Sequence, residues 1–189
     1  MDQLITHIRK FIVLDDAEAA IVISFFKNEN FKKKSLLLHE GSLCSTQYFV
    51  LKGCLRLYII NEKGNEQTLQ FAIENWWITD YMSLQTQRPT HFYIQAVENS
   101  EVLAIDTDHL EKLLVRLPKM ERYFRLILQK SFAAYQMRIK YLYTQSAEER
   151  YHFFNNLQPE FVQRIPQYML ASYLDFSAEF MSKIRAGKV

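Results

Sequence analysis

Residues 165–185 read IPQYMLASYLDFSAEFMSKIR, and the fold assignment of the whole chain starts from this stretch. The spacing of its apolar residues predicts two short amphipathic helices separated by a tight turn. Pro166 suits the first turn of a helix, where its missing N–H would have no partner. The apolar positions are Leu170, Ala171 and Leu174 in the first helix, and Phe180, Met181 and Ile184 in the second.

The residues between these helices have the properties that a sharp reversal requires. Asp175 lies where a left-handed backbone conformation is often needed. Ser177 is predicted to cap the second helix, and Glu179 adds negative charge near the positive end of its dipole. This pattern predicts a helix-turn-helix, whose second helix enters the DNA major groove. An ordinary hairpin of two helices fits the same residues, so both interpretations stay open at this point.

Composition sets broad limits on the protein class. The 189 residues suffice for one medium domain or two small ones, and 49% hydrophobic content indicates a globular chain. The net charge of +2 is too small to indicate nucleic-acid binding, so any such surface must be a local patch. The apolar runs are shorter than a membrane span and the first residues resemble no secretory signal, which predicts a cytoplasmic protein.

The sequence presents no recognisable catalytic or metal-binding constellation. Cys44 and Cys54 are too few for a disulfide framework or a zinc site and are predicted to be buried thiols. The five histidines form no ligand-like pair, and only four glycines occur, which argues against phosphate-binding loops. We therefore expect neither an enzyme nor a protein with a metal or resident cofactor.

The first two thirds of the chain combine helices with many short strands. Helices are predicted over residues 2–11 and from Asp15, where Asp15 and Glu18 have capping-box spacing. Strands are predicted at residues 36–39, 48–51, 55–60, 67–71, 93–96 and 102–105, with a hairpin turn at 62–65. Short strands at near-regular spacing predict a small barrel or sandwich, which can hold a small ligand between its walls.

Helices return after Asp106. Asp108 and Glu111 have capping-box spacing, Leu117-Pro118 breaks that helix, and a long helix is predicted over residues 119–144. Its apolar residues repeat at alternating steps of four and three, which indicates a dimerisation seam. A single buried helix in a monomer is the alternative. The seam consists of Leu128, Phe132, Tyr135, Ile139 and Leu142.

The C-terminal part begins at a second capping box, Ser146 with Glu149, and Pro159 ends the helix that follows. These boundaries predict three segments. They are a domain of short strands with flanking helices (1–117), which the family resemblance given next identifies as a β-roll sensor, a long dimerisation helix (118–145) and a helix-turn-helix domain (146–189).

A barrel, a long seam helix and a terminal helix-turn-helix, in that order, resemble the Crp/Fnr family of bacterial transcription regulators. The most specific matches are YFVLKG at 48–53, the Gly64 hairpin, SAEER at 146–150, and residues 165–185. The resemblance implies an α+β fold with a double-stranded β-helix (β-roll) of cyclic-nucleotide-binding type. It also implies a homodimer that binds double-stranded promoter DNA in response to a ligand and acts with RNA polymerase.

The ligand site departs from the family pattern. Cyclic-nucleotide binders use a Gly-Glu pair at the ribose and an Arg at the phosphate, where this chain has Thr79-Asp80 and Thr90-His91. A buried phosphate needs charge-assisted donors, so we expect no cyclic nucleotide. Arg88 could supply the missing charge. The expected effector is an apolar or aromatic molecule, or none. The pocket candidates are Trp77, Asp80, Tyr81, Arg88, Thr90 and His91, with Trp76 and Phe92 beside them.

The same resemblance assigns the DNA contacts. By position in the motif, Ala178, Glu179 and Lys183 would contact bases: Glu179 could accept from cytosine and Lys183 could donate to guanine. Phosphate contacts are expected from Tyr168, Ser177, Arg185 and Lys188. The sequence ends at Val189, where the family has a two-stranded wing, so we expect fewer phosphate contacts.

Two functions therefore remain in competition. The first is a homodimeric regulator that reads a near-palindromic site through two recognition helices about 34 Å apart. The second is a ligand-sensing or protein-binding β-roll with a vestigial helix-turn-helix that does not bind DNA.

Overall fold

A computed structural model describes residues 1–186, and of Arg185 only the backbone. The chain forms two compact units: residues 1–59 with 70–129, and residues 60–69 with the chain from Lys130 onward. The helices are α1 (Asp2–Arg9), α2 (Asp16–Ser24), α3 (Tyr81–Thr86), α4 (Thr107–Arg116), α5 (Lys119–Thr144), α6 (Ala147–Leu157), α7 (Pro159–Arg164), α8 (Gln167–Leu174) and α9 (Ala178–Arg185). The strands are β1 (Lys27–Phe31), β2 (Leu36–Leu38), β3 (Thr46–Lys52), β4 (Leu55–Ile60), β5 (Glu66–Ala72), β6 (Trp77–Ile78), β7 (Tyr93–Ala96) and β8 (Ser100–Asp106).

The strands form two four-stranded sheets, which confirms the α+β class and the β-roll. One sheet has the order β1-β8-β3-β6 and the other β2-β7-β4-β5. All six predicted strands are present, but β1 and β6 were not predicted. Strand β1 reads KNENF, which is too polar to resemble a strand, and it pairs only with β8 at the sheet edge. Strand β6 has two residues, too few for any periodicity.

The turn between β3 and β4 explains why the YFVLKG segment ends in glycine. Gly53 has a φ of +99°, and a Cβ there would lie 2.5 Å from the Ser100 side-chain oxygen and 2.7 Å from the Asn99 carbonyl oxygen. Both the conformation and the lack of space exclude a side chain.

The core of the first unit lies between strands β3 and β8 and the helices α1, α2, α4 and α5. At its centre, the indole N–H of Trp77 donates to the Tyr123 hydroxyl oxygen at 2.9 Å. The same hydroxyl lies 2.9 Å from His7 Nδ1. Burial raises the pKa of Tyr123, so the phenol stays neutral in this position. This hydrogen-bonded trio fixes the first turns of α5 against the β-roll.

The N-termini of α2 and α4 confirm one predicted capping box and correct another. The Asp15–Glu18 capping box is present at the start of α2. For α4, the capping box predicted at Asp108 and Glu111 is wrong, because Asp106 is the N-cap and its carboxylate accepts the backbone N–H of His109 at 2.9 Å. The helix begins directly where strand β8 ends, so no loop separates the strand from its cap.

The second unit contains helices α6 to α9, the later turns of α5 and the tip of the β4–β5 hairpin. The Ser146–Glu149 capping box is confirmed at the start of α6. Helix α6 ends at Leu157, but Pro159 also starts α7, which was not predicted. The compact units divide the chain at 59/60, 69/70 and 129/130, and the hairpin tip bonds to α8 within the second unit. No described helix is long and apolar enough to span a membrane.

The Trp77–Tyr123 hydrogen bond yields the first prediction. We expect Tyr123→Phe to lower the free energy of unfolding by about 1–3 kcal/mol, because the buried indole N–H loses its acceptor. Tyr143→Phe is the matched control, since that ring is 86% exposed. Urea unfolding of both variants measures the difference, and equal stabilities would show that the trio does not anchor α5.

Candidate functional site

Two of the residues expected in the ligand pocket bond to each other. Asp80 is the N-cap of α3, and its Oδ1 accepts the backbone N–H groups of Met82 (2.9 Å) and Ser83 (3.2 Å). Its Oδ2 accepts the Thr90 hydroxyl at 2.5 Å. Asp80 and Thr90 are only 3% and 2% exposed. The carboxylate that would meet a ribose is therefore engaged by the chain itself.

The hydroxyl groups around this pair are also engaged. Thr90 Oγ1 accepts the backbone N–H of Phe92 at 3.0 Å. Thr79 donates its hydroxyl to the Thr46 carbonyl at 2.9 Å, and the buried Cys44 thiol lies 3.4 Å from it. These neutral groups and one carboxylate offer no positive charge to a phosphate.

The remaining pocket candidates lie either in the core or on the surface. Trp77 belongs to the core, where its ring packs against Phe49 and Phe124 at centroid distances of 5.3 and 5.4 Å. Its strong hydrophobicity and its neighbour Trp76 made it resemble a pocket residue, but it is a strand residue facing α5. Tyr81, Arg88, His91 and Trp76 are exposed.

The second candidate site is the helix-turn-helix of α8 and α9. Asp175 adopts the predicted left-handed conformation with a φ of +63°. Ser177 is the predicted N-cap, and its hydroxyl accepts the backbone N–H of Phe180 at 3.1 Å. The phenyl ring of Phe180 packs edge-on against Phe176 at 5.8 Å. The buried residues of the pair are Met169, Leu170, Ala171, Leu174, Met181 and Ile184, which confirms the predicted apolar faces apart from the half-buried Phe180.

The residues predicted to contact DNA bases are exposed to solvent. Ala178, Glu179 and Lys183 are exposed on α9, and Tyr168 on α8 is 52% exposed. Hydrogen bonds from its own backbone N–H and from the Ser177 hydroxyl hold the pKa of Glu179 below its usual value, so it is a carboxylate at neutral pH. The Arg185 side chain and Lys188 lie outside the described residues.

One residue that holds this turn was missed from the sequence. Arg150 on α6 donates Nε to the Leu174 carbonyl (3.0 Å), Nη1 to the Gln145 carbonyl (2.7 Å) and Nη2 to the Asp175 carbonyl (3.4 Å). It thereby binds the carbonyls at the end of α8, which no helical N–H can reach. Its place just after the Ser146–Glu149 capping box was the available signal.

Helix α5 carries the predicted seam on its surface. Phe132 is 64% exposed and Ile139 is 54% exposed, although both are large and apolar. Leu128 and Tyr135 are also exposed, and Leu142 is half-buried. By contrast, Met120, Tyr123 and Ile127 face the core of the first unit. The helix therefore has one face in the core and a second face on which the large apolar residues Phe132 and Ile139 are mostly exposed.

Comparison with known proteins finds bacterial regulatory proteins that are similar to this chain. Residues 28–116 match the family model of the cyclic nucleotide-binding domain. An anaerobic regulatory protein of Haemophilus influenzae is 27% identical over 70% of this chain and 51% of its own length. The chain thus spans about half the length of the curated relatives it matches.

Solved structures share the fold over most of the chain. FixK2 from Bradyrhizobium japonicum has a TM-score of 0.74 at 15% identity, covering 86% of this chain and 83% of FixK2. The c-di-GMP responsive regulator CLP of Xanthomonas campestris has a TM-score of 0.73 at 15% identity, covering 92% and 91%. With its β-roll, its long helix and its terminal helix-turn-helix, the chain is similar to regulators of the Crp/Fnr family.

Proposed function

We propose that this protein is a homodimeric transcription regulator that reads DNA through α9. The proposal rests on the exposed side chains of Glu179 and Lys183 on α9. The turn before this helix is held by the left-handed Asp175, the N-cap Ser177 and the hydrogen bonds of Arg150. The two side chains offer an acceptor for cytosine N4 and a donor for guanine O6 or N7. The regulator names of its relatives support this function.

The exposed apolar residues of the α5 seam support the dimer. A monomer would leave Phe132 and Ile139 in water, whereas a second copy of the helix would bury both at alternate layers of a coiled coil. Dimerisation would also present two recognition helices to a symmetric DNA site. A dimer bound at a promoter would act on RNA polymerase, which we therefore include as a proposed partner.

The effector in this proposal is not a cyclic nucleotide. The Asp80 carboxylate is satisfied by Thr90 and by two backbone N–H groups, and a neutral threonine stands where cyclic-nucleotide binders have an Arg. A phosphate placed here would meet a negative charge without a positive one. The rival function, a β-roll module with a vestigial helix-turn-helix, finds less support because the turn, both caps and the helical interface of the motif are intact.

Selection of bound DNA from a random duplex library, at two salt concentrations, tests sequence-specific DNA binding. We expect a near-palindromic motif whose affinity rises as salt falls. The double variant Glu179→Ala/Lys183→Ala should lose at least about tenfold in affinity for that motif, since each base contact contributes about 1–3 kcal/mol. Glu160→Ala/Lys140→Ala removes the same charges from other helices and should retain the motif. Binding without any motif would support only a generic basic surface.

Sedimentation equilibrium tests the dimer. The chain has a mass of 22.6 kDa, and we expect about twice that value in solution. Phe132→Glu/Ile139→Glu should yield monomers, because carboxylates would be buried in the seam. Met137→Glu is the control, since Met137 is also exposed but lies half a helical turn away from the seam. Dimers that persist in the double variant would exclude this seam as the interface.

Thermal unfolding with added cyclic AMP or cyclic GMP tests the pocket. We expect millimolar cyclic nucleotide to leave the midpoint of thermal unfolding unchanged, whereas a ligand that binds the folded state would raise it.

Thr90→Val should lower the free energy of unfolding by about 1–3 kcal/mol, because the buried Asp80 carboxylate loses a donor. Thr86→Val, at an exposed threonine of α3, is the control.

A further inference from the structure

The tip of the β4–β5 hairpin is hydrogen-bonded to the first helix of the helix-turn-helix. The Ser172 hydroxyl on α8 donates to the Glu66 carbonyl at 2.9 Å and accepts the backbone N–H of Thr68 at 2.7 Å. The Gln67 side-chain amide donates to the Ser172 carbonyl. We call residues 66–68 together with Ser172 the hairpin latch.

A second set of bonds lies beside the latch. Arg138 on α5 donates Nη1 to the Leu69 carbonyl at 3.1 Å and Nη2 to the Tyr173 carbonyl at 2.9 Å. Its guanidinium also lies over the Tyr173 ring, 4.4 Å from the centroid. The hairpin, α8 and the later turns of α5 are therefore joined within one unit.

The latch contains an unfavourable element. Thr68 is fully buried, and its side-chain Oγ1 has no hydrogen-bond partner among the described residues. A buried hydroxyl without a partner destabilises the state that buries it, while exposure to water satisfies it. The closed latch is thus opposed by Thr68, which favours an equilibrium between closed and open forms over a permanent contact.

The latch also borders the surface proposed to face DNA. Ser172 and Tyr168 are four residues apart on α8 and share one helical face, and Tyr168 is the proposed phosphate contact. The exposed segment 61–66 carries Glu62 and Glu66 against Lys63, a net charge of −1 from two carboxylates and one ammonium. A closed hairpin therefore places bulk and negative charge beside the face that must approach phosphates.

We propose that the hairpin latch is an autoinhibitory contact that must open before α8 and α9 bind DNA. This inference rests on the proposed DNA-binding function. Strands β4 and β5 run from the latch directly into the sheet of the first unit, so a change in that sheet reaches α8 through the hairpin. DNA binding is then weakened by the fraction of molecules in the closed form.

Three hairpin variants test the proposal without altering α8 or α9. Gln67→Ala removes a latch bond and should open it, whereas Thr68→Val removes the buried hydroxyl and should close it further. Asn65→Ala, at the exposed tip, is the control because it leaves the charge of the hairpin unchanged. Hydrogen exchange of the 66–69 amides should be about two- to tenfold faster in Gln67→Ala and slower in Thr68→Val, because one hydrogen bond shifts an equilibrium by about that factor.

Affinity for the selected DNA motif should follow the same order. We expect Gln67→Ala to bind about two- to tenfold more tightly than wild type and Thr68→Val more weakly, with Asn65→Ala changing by less than either. Faster exchange with unchanged or weaker DNA binding in Gln67→Ala would overturn the inhibition while leaving DNA binding itself intact. Faster exchange with no DNA binding by any variant would reject the proposed function and the regulatory role together.

Discussion

The hydrogen bond between the Trp77 indole and the Tyr123 hydroxyl is the constraint on which the arrangement of α5 depends. It ties strand β6 to the first turns of α5, and His7 brings α1 to the same oxygen. Once Met120, Tyr123 and Ile127 are held in the core, helical geometry leaves Leu128, Phe132, Tyr135 and Ile139 on another face. The exposed seam is a consequence of how the helix is anchored.

Sequence patterns predicted the elements that local chemistry determines. The long helix was predicted at its observed bounds, Lys119–Thr144, because Pro118 and the Ser146 capping box delimit it. Asp175 and Ser177 were identified because few residues suit a left-handed turn or an N-cap. Strand β1 escaped prediction because its polar residues depend on the partner strand β8 and have little strand preference of their own.

The candidate sites were harder to predict because their decisive contacts join residues far apart in the chain. Asp80 was predicted as a pocket residue by resemblance, but its carboxylate caps α3 through two backbone N–H groups and also accepts the Thr90 hydroxyl. Arg150 bonds to carbonyls 24 and 25 residues later, and Ser172 bonds to a strand more than 100 residues earlier. No local periodicity reports such pairings, so the positioning of the helix-turn-helix emerged only from the three-dimensional structure.

The chain passes between its two units at 59/60, 69/70 and 129/130, and these connections differ in mechanical character. At 129/130 the connection is the interior of α5, where continuous backbone hydrogen bonds resist bending. At 59/60 and 69/70 it is a two-stranded ribbon, whose tip is held by a few side-chain bonds and opposed by the buried Thr68 hydroxyl. The helix therefore suits the constant task of holding the proposed dimer together. The ribbon suits a reversible one, because breaking its few bonds leaves both the β-roll core and the helical interface of α8 and α9 intact.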